Sequence, residues 1–252
     1  MSSIKYHIKN VILPNRKTNW HIVVKVTRKW REIDTQNGNV LGVNMIFIDQ
    51  SHDRIRVWMD STVMNNLENK FVEGQTFKVQ NFKVQEYTNL EDEKCFEDDR
   101  FIRLTHYTRV REHMGLGCLI PENIFVFKNL SDVPNHQHRI SSCIDVVGIV
   151  HSVDPLKLSS KTNRRYTDLV ITDTRYYVKI RLWDELGAMF NKAMNNLTEY
   201  PAVSVFASLK IEFSEKYDIT YLSNNVASRF YLNCNVEREE TLRKRFNDLH
   251  GC

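Results

Sequence analysis

Hydrophobic positions fall in short runs, β-branched or alternating, and they predict strands long before any chemistry is visible. Trp20 to Val26 (WHIVVKV) is dense in Val and Ile and predicts a strand. Leu41 to Ile48 (LGVNMIFI) predicts a second and Arg54 to Met59 (RIRVWM) a third. From Thr62 the period changes, with Val63, Leu67 and Phe71 at i, i+4 and i+8, which predicts a helix. Thr76 to Val84 and Phe101 to Tyr107 predict two further strands.

The same order then recurs. Strands are predicted at Cys143 to Val153, Tyr166 to Ile171 and Tyr177 to Trp183, a helix over Glu185 to Leu197, and strands at Ala202 to Ile211 and Ile219 to Leu222. A charged helix, Glu237 to His250, closes the chain, with Glu240 and Lys244 at i, i+4. Three strands, a helix and two strands is the order of a five-stranded OB barrel. The expected fold is therefore all-β: one OB barrel over residues 1–112, a connector over 113–138, and a second barrel with the terminal helix over 139–252. A local match supports the duplication: Ile55-Arg-Val-Trp-Met-Asp and Ile180-Arg-Leu-Trp-Asp-Glu occupy the same place in the two halves.

Alternation within these two strands separates two faces. Ile55, Val57 and Met59 share one and Arg54, Arg56 and Trp58 the other; Val178, Ile180 and Leu182 share one and Lys179, Arg181 and Trp183 the other. The aliphatic face is the expected core, so each tryptophan stands among cations on the outside. Such a face suits nucleic acid, whose bases stack on indoles while Arg and Lys meet phosphates. A neighbouring Arg covering the indole in cation–π contact is the alternative. Lys25, with Arg28, Lys29 and Arg31 beyond it, adds charge in the first half. Lys157, Lys161, Arg164 and Arg165 do so in the loop after the first strand of the second.

Charge as a whole changes this picture little. The 252 residues carry 35 Lys and Arg against 31 Asp and Glu, a formal +4, which permits a polyanion without demanding one. Its placement matters more: between Glu86 and Asp99 seven acidic residues face Lys94 alone, in the loop expected to join strands four and five, where they would repel phosphate. Five scattered cysteines form no CxxC pair, so neither a disulfide framework nor a structural zinc site is expected, and a reducing compartment is. No apolar stretch approaches the ~18 residues of a membrane-spanning helix, and the N-terminus has no secretory h-region. His136 and His138 lack further ligands nearby, Gly115-Leu116-Gly117 is a bare GxG, and no GxSxG, HExxH or Walker lysine occurs. No enzyme and no cofactor are expected.

The chain resembles the tandem single-stranded-DNA-binding OB domains of the large subunit of replication protein A, most of all the plant and mobile-element-encoded kinds. The residues that carry the likeness are Trp20-His-Ile-Val-Val-Lys-Val-Thr-Arg-Lys-Trp30, Phe125-Val-Phe-Lys-Asn-Leu130, Val178-Lys-Ile-Arg-Leu-Trp-Asp-Glu185 and Phe230-Tyr-Leu-Asn233. The resemblance implies non-catalytic, largely sequence-independent binding of single-stranded DNA in the nucleus, in replication, repair or recombination, with other replication protein A-like subunits as partners. It makes Trp183 and Phe213 the stacking pair of the second barrel. Trp58 takes the equivalent place in the first, with Tyr87 a loose second candidate and Lys25 a strand contact. The family's zinc-bearing domain has no counterpart among these cysteines. Single-stranded RNA binding, or an OB-fold protein-interaction module, remains an alternative on the same face.

Overall fold

The computed structural model describes residues 4–11, 20–87, 94–115, 119–135 and 142–250. They form two compact units, Met1–Asp92 with Asp98–Ile124, and Glu93–Glu97 with Phe125–Cys252. Each is a curled, mainly antiparallel β-sheet of OB type. Among the described residues no helix is long and apolar enough to cross a membrane.

The first unit contains β1 (Ile4–Tyr6), β2 (Trp20–Ile33), β3 (Val40–Ile48), β4 (Arg54–Asp60), α1 (Ser61–Leu67), β5 (Thr76–Gln80), β6 (Lys83–Glu86), β7 (Arg100–Arg103) and β8 (Arg109–Glu112). Their order is β6-β7-β4-β3-β2-β5-β8, with β1 added beside β2 and β4 running parallel to β7. Ile22, Val24 and Val26, then Val43, Met45 and Phe47, then Ile55, Val57 and Met59 point inward in strict alternation and are buried. Asp60 starts α1 by accepting the Thr62 N–H, and Val63 and Leu67 seat the helix on that core.

Two expected strands are interrupted. Thr76 to Val84 breaks into β5 and β6 because Asn81 adopts a left-handed φ of 56°, a conformation Asn tolerates better than most residues. Phe101 to Tyr107 ends as a strand at Arg103. There the Thr108 hydroxyl accepts the Thr105 N–H at 2.8 Å, closing a turn before β8 resumes.

The second unit contains β9 (Ile144–Val153), β10 (Lys157–Leu158), β11 (Arg165–Thr172), β12 (Tyr177–Trp183), α2 (Asp184–Asn195), β13 (Val203–Ser214), β14 (Ile219–Ser223), β15 (Arg229–Leu232) and α3 (Glu237–His250). Pairing runs β9 to β11, β12, β14, β13 and back to β9, a closed ring in which only β12 and β14 are parallel. Its inward side holds Leu169, Ile171, Val178, Ile180, Leu182 and Phe206, lidded by Phe190 of α2. The reverse side of β9 and β13 is also buried, because Val147, Ile149, Val203 and Val205 pack under Leu242 and Phe246 of α3. Burial on both sides explains why these two strands read as near-continuous hydrophobic runs.

Candidate nucleic-acid interface

In both units the cationic strand lies as its alternation requires: aliphatic side chains buried, the intervening ones half-buried. The two faces differ in what surrounds them.

In the second unit Arg181 is the centre. Its guanidinium lies 4.4 Å from the Tyr166 ring, 5.6 Å from Trp183 and 5.7 Å from Tyr221. Register accounts for the grouping: Tyr166 lies opposite Trp183 and Asp168 opposite Arg181 on β11, and β14 brings Tyr221 alongside. Tyr166 and Trp183 meet at 5.3 Å with their planes tilted by 51°. Asp168, 8% exposed, holds Arg181 through two hydrogen bonds of 2.7 and 2.8 Å and takes Lys179 at 2.8 Å. Burial raises the Asp168 carboxyl, but hydrogen bonds and charge from Arg181 and Lys179 outweigh it and hold the group below its ordinary range.

Arg164 lies 5.1 Å from the centre of the Trp183 ring and pairs with Asp184 at 2.6 Å. Cation–π cover of this indole, the alternative raised by the sequence, is therefore present, and Trp183 is half-buried. Lys161 and Arg165 are exposed at the rim, with no ion pair among the described residues. Phe213 is 44% exposed but shares its side of β13 with Leu209 and Ile211, opposite to Glu212 and its cross-strand partner Tyr221. The rings placed beside Trp183 are thus Tyr166 and, through Arg181, Tyr221. Neither stood out in the sequence, where only the pairing of β11, β12 and β14 could have singled them out.

In the first unit Arg56 plays the corresponding part. Its Nε donates to Asn44 Oδ1 at 2.9 Å, and its guanidinium lies 5.6 Å from the Tyr87 ring and 6.0 Å from Phe101. Those two rings are 5.1 Å apart, so Tyr87 joins the cationic strand, with Phe101 supplied by parallel pairing of β7. Trp58 lies across Gly42. A β-carbon at Gly42 would strike both the Trp58 ring and the Met59 carbonyl. We expect Gly42→Ala to displace the indole and to destabilise this unit by about 1–3 kcal/mol, as overpacked sites do. Urea denaturation read by tryptophan fluorescence checks it; an unshifted midpoint would show that the strand yields at no cost.

Four cations of this unit, Lys25, Arg54, Lys29 and Arg31, are held by partners within the chain. Lys25 is only 8% exposed, and its ammonium donates to the Ile120 carbonyl at 2.8 Å. Arg54 donates to the Ile124 carbonyl at 3.2 Å. Residues 119–124 thus return to this face, where Ile46 and Ile48, the register partners of Arg56 and Arg54, are 1% exposed. Lys25 is thus buried, with its ammonium bound to a backbone carbonyl. Further along β2, Lys29 donates to the carbonyls of Glu68 and Phe71, and Arg31 grips both oxygens of Glu68.

Of the acidic stretch, residues 88–93 lie outside the described residues. Lys94–Glu97 fold with the second unit: the Lys94 carbonyl accepts the Cys143 N–H and the Cys95 carbonyl the Ser208 hydroxyl, both at 2.7 Å. Glu97 pairs with Lys128, and Asp98 with Arg100. His136 and His138 also fall outside the described residues. Among those described, no group of three His, Cys, Asp or Glu side chains is placed to hold a metal.

No curated protein matches the chain in sequence. A family model described as a domain of unknown function, DUF223, matches residues 12–116, which covers most of the first unit and less than half of the chain. Among solved structures, the chain is similar to one from a replication protein A heterotrimer bound to single-stranded DNA, with 17% identity and a TM-score of 0.61. That match covers 96% of this chain and 55% of the other, so this chain spans about half of its length. A weaker similarity links it to p202 HIN1 in complex with a 12-mer double-stranded DNA, with 14% identity, a TM-score of 0.46 and coverage of 89% and 96%. The likeness establishes the fold: two barrels of OB type.

Proposed function

We propose that the chain is a non-catalytic nucleic-acid-binding protein that holds single-stranded DNA by stacking bases on the aromatic clusters around Arg181 and Arg56. The observation that carries this is the cluster on β11, β12 and β14. Three rings and a carboxylate fix one guanidinium on a strand face, so the stacking surface is ordered before ligand arrives and little ordering entropy is spent on binding. Base–aromatic stacking contributes ~1–3 kcal/mol per base and accepts any base. Lys161, Arg164 and Arg165, with Lys179 on the strand, would meet the phosphates. The replication protein A-like fold and the sequence resemblance support the same reading, and with it a nuclear role in replication, repair or recombination beside other such subunits.

The test is a fluorescence titration of the full chain with matched single-stranded DNA, single-stranded RNA and duplex oligonucleotides across salt. Trp183→Ala should weaken single-stranded DNA binding roughly tenfold, the loss of one stacked base. Trp58→Ala should do less, because residues 119–124 share its face. Unchanged affinity in both variants would sink stacking. RNA bound more tightly than DNA would move the substrate class.

A further inference from the structure

A second cationic surface lies on the first unit, on strands that the aromatic face does not use. β1, β2, β5 and β8 are consecutive neighbours, and their registers set Lys5 beside His21, His21 beside Gln80, Val23 beside Lys78, Gln80 beside Arg109 and Lys78 beside Arg111. All these side chains alternate with inward-facing Tyr6, Ile22, Val24, Phe77, Val79 and Val110 and so point outward. His113 follows directly, its N–H bonded to the Thr76 carbonyl. No carboxylate occupies any of these register positions. Among the described residues, Lys78, Arg109 and Arg111 form no ion pair, and Lys5 meets only the neutral Gln50 amide.

At the floor of this surface is His21, 8% exposed, whose Nδ1 has no hydrogen-bond partner. A buried polar atom without a partner is costly unless something completes it. Burial first, and then the charges of Lys78, Lys5 and His113, hold its imidazole below the ordinary histidine value.

We propose that the outer face of β1, β2, β5 and β8 is a second binding site that takes the phosphate backbone of duplex DNA. Width and composition select this ligand. Four strands at about 4.8 Å span roughly 15 Å, enough to reach phosphates on both sides of a minor groove about 6 Å wide or a major groove about 12 Å wide. The face has no Phe, Tyr or Trp at these positions and its His21 ring is buried, so it offers little for an unstacked base, whereas a duplex keeps its bases stacked inside and presents its phosphates outward. The site lies on different strands from the Arg56 cluster, so a chain holding a single strand there keeps this face for the adjoining double-stranded region.

The test uses Lys78→Glu/Arg111→Glu in the full chain, with Lys78→Gln/Arg111→Gln as a milder pair and far-UV circular dichroism to establish folding. A 20-base-pair DNA duplex should bind wild type with a salt-dependent affinity. The charge-reversed pair should bind it at least tenfold more weakly, with a log–log salt slope reduced by about two. Single-strand affinity should fall less than in Trp183→Ala, which in turn should leave duplex binding intact. The two sites can therefore fail separately. On wild type, the His21 proton-binding midpoint, followed by NMR, should rise when duplex neutralises Lys5, Lys78 and His113. Absence of duplex binding by wild type, or an unchanged slope in a folded charge-reversed pair, would overturn the site. So would equal, variant-sensitive binding of polyglutamate or of phosphatidylserine vesicles.

Discussion

Arg181→Ala should weaken single-stranded DNA binding by more than any single tryptophan substitution, roughly thirty- to a hundredfold, or about 2–3 kcal/mol. The side chain does three things at once. It meets three rings, it supplies a cation at the stacking surface, and it neutralises most of the charge on Asp168. Its removal frees Tyr166 and Tyr221 to change orientation and leaves a nearly buried carboxylate with Lys179 alone. Stability should fall too, by about 2–3 kcal/mol, somewhat less than the ~3–5 kcal/mol of fully buried pairs because the guanidinium is partly exposed. Adding Asp168→Asn should restore much of the stability but not the affinity, which separates the structural role from the binding role. Titration and urea denaturation of the single and double variants check both. An affinity loss no larger than that of Lys161→Ala would show that Arg181 does not organise the site.

The same pair gives a pH dependence with a defined sign. The Asp168 carboxyl is depressed in the folded state, so its contribution is complete above the ordinary carboxylate value of 3.8 and is lost as pH falls through the lower folded value. Without Arg181 the folded value rises toward or beyond the unfolded one, and acid unfolding of the second unit should begin at a higher pH.

Arg181 and Arg56 occupy the same place in the repeated Ile-Arg-aliphatic-Trp motif, and alternation alone put both on the correct face. Their role as hubs was not legible, because it depends on which residues neighbouring strands place opposite them. Tyr166 lies near in sequence and joins by antiparallel register, whereas Tyr221 and Phe101 arrive through the parallel pairings β12–β14 and β4–β7. Those pairings follow from barrel closure, which no local pattern encodes. Lys25 shows the same limit from the other direction. It was expected only as a basic residue of the first strand, and the return of residues 119–124 that meets it joins positions 95 residues apart.

The elements themselves were far more legible. β4, β12 and α3 sit within a residue of their expected bounds: the two strands alternate without a break, and α3 is a continuous charged run with Leu242 and Phe246 at i, i+4. Boundaries failed where backbone geometry overrode pattern. At Asn81 a positive φ breaks an alternation that continues smoothly through TFKVQNFKV, and at Thr105–Thr108 side-chain hydrogen bonds replace ladder pairing. β13 ran past its expected end at Ile211 to Ser214, since its pairing with β14 extends the hairpin.

The other large effect is expected at Asp145, where a buried carboxylate replaces missing strand pairing. Asp145 is 1% exposed; one oxygen accepts the Ser208 N–H at 2.9 Å and the other the Val126 N–H at 3.1 Å. Ser208 sits at the register shift between β13 and β9, with a left-handed φ of 58° that a serine seldom adopts. Its hydroxyl donates to the Cys95 carbonyl and its own carbonyl accepts the Ser228 hydroxyl, both at 2.7 Å, so the bulge is held from three directions. Asp145→Ala leaves the buried Ser208 N–H and the partly buried Val126 N–H without their charged acceptor. At ~1.5–3 kcal/mol for the buried hydrogen bond to a charged group, and less at Val126, which is 60% exposed, the loss should be about 2–4 kcal/mol, a large share of a domain's total stability. Asp145→Asn keeps one acceptor oxygen and should lose roughly half as much. Because β13 carries the hairpin to β14, release of the bulge should also loosen Tyr221 and weaken single-strand binding at temperatures where the unit is still folded. Urea denaturation with hydrogen exchange at Val126 and Ser208 is the measurement. A shift confined to the second unit is expected, and a midpoint unchanged in Asp145→Ala would show that Ser208 is held by its hydroxyl and carbonyl alone.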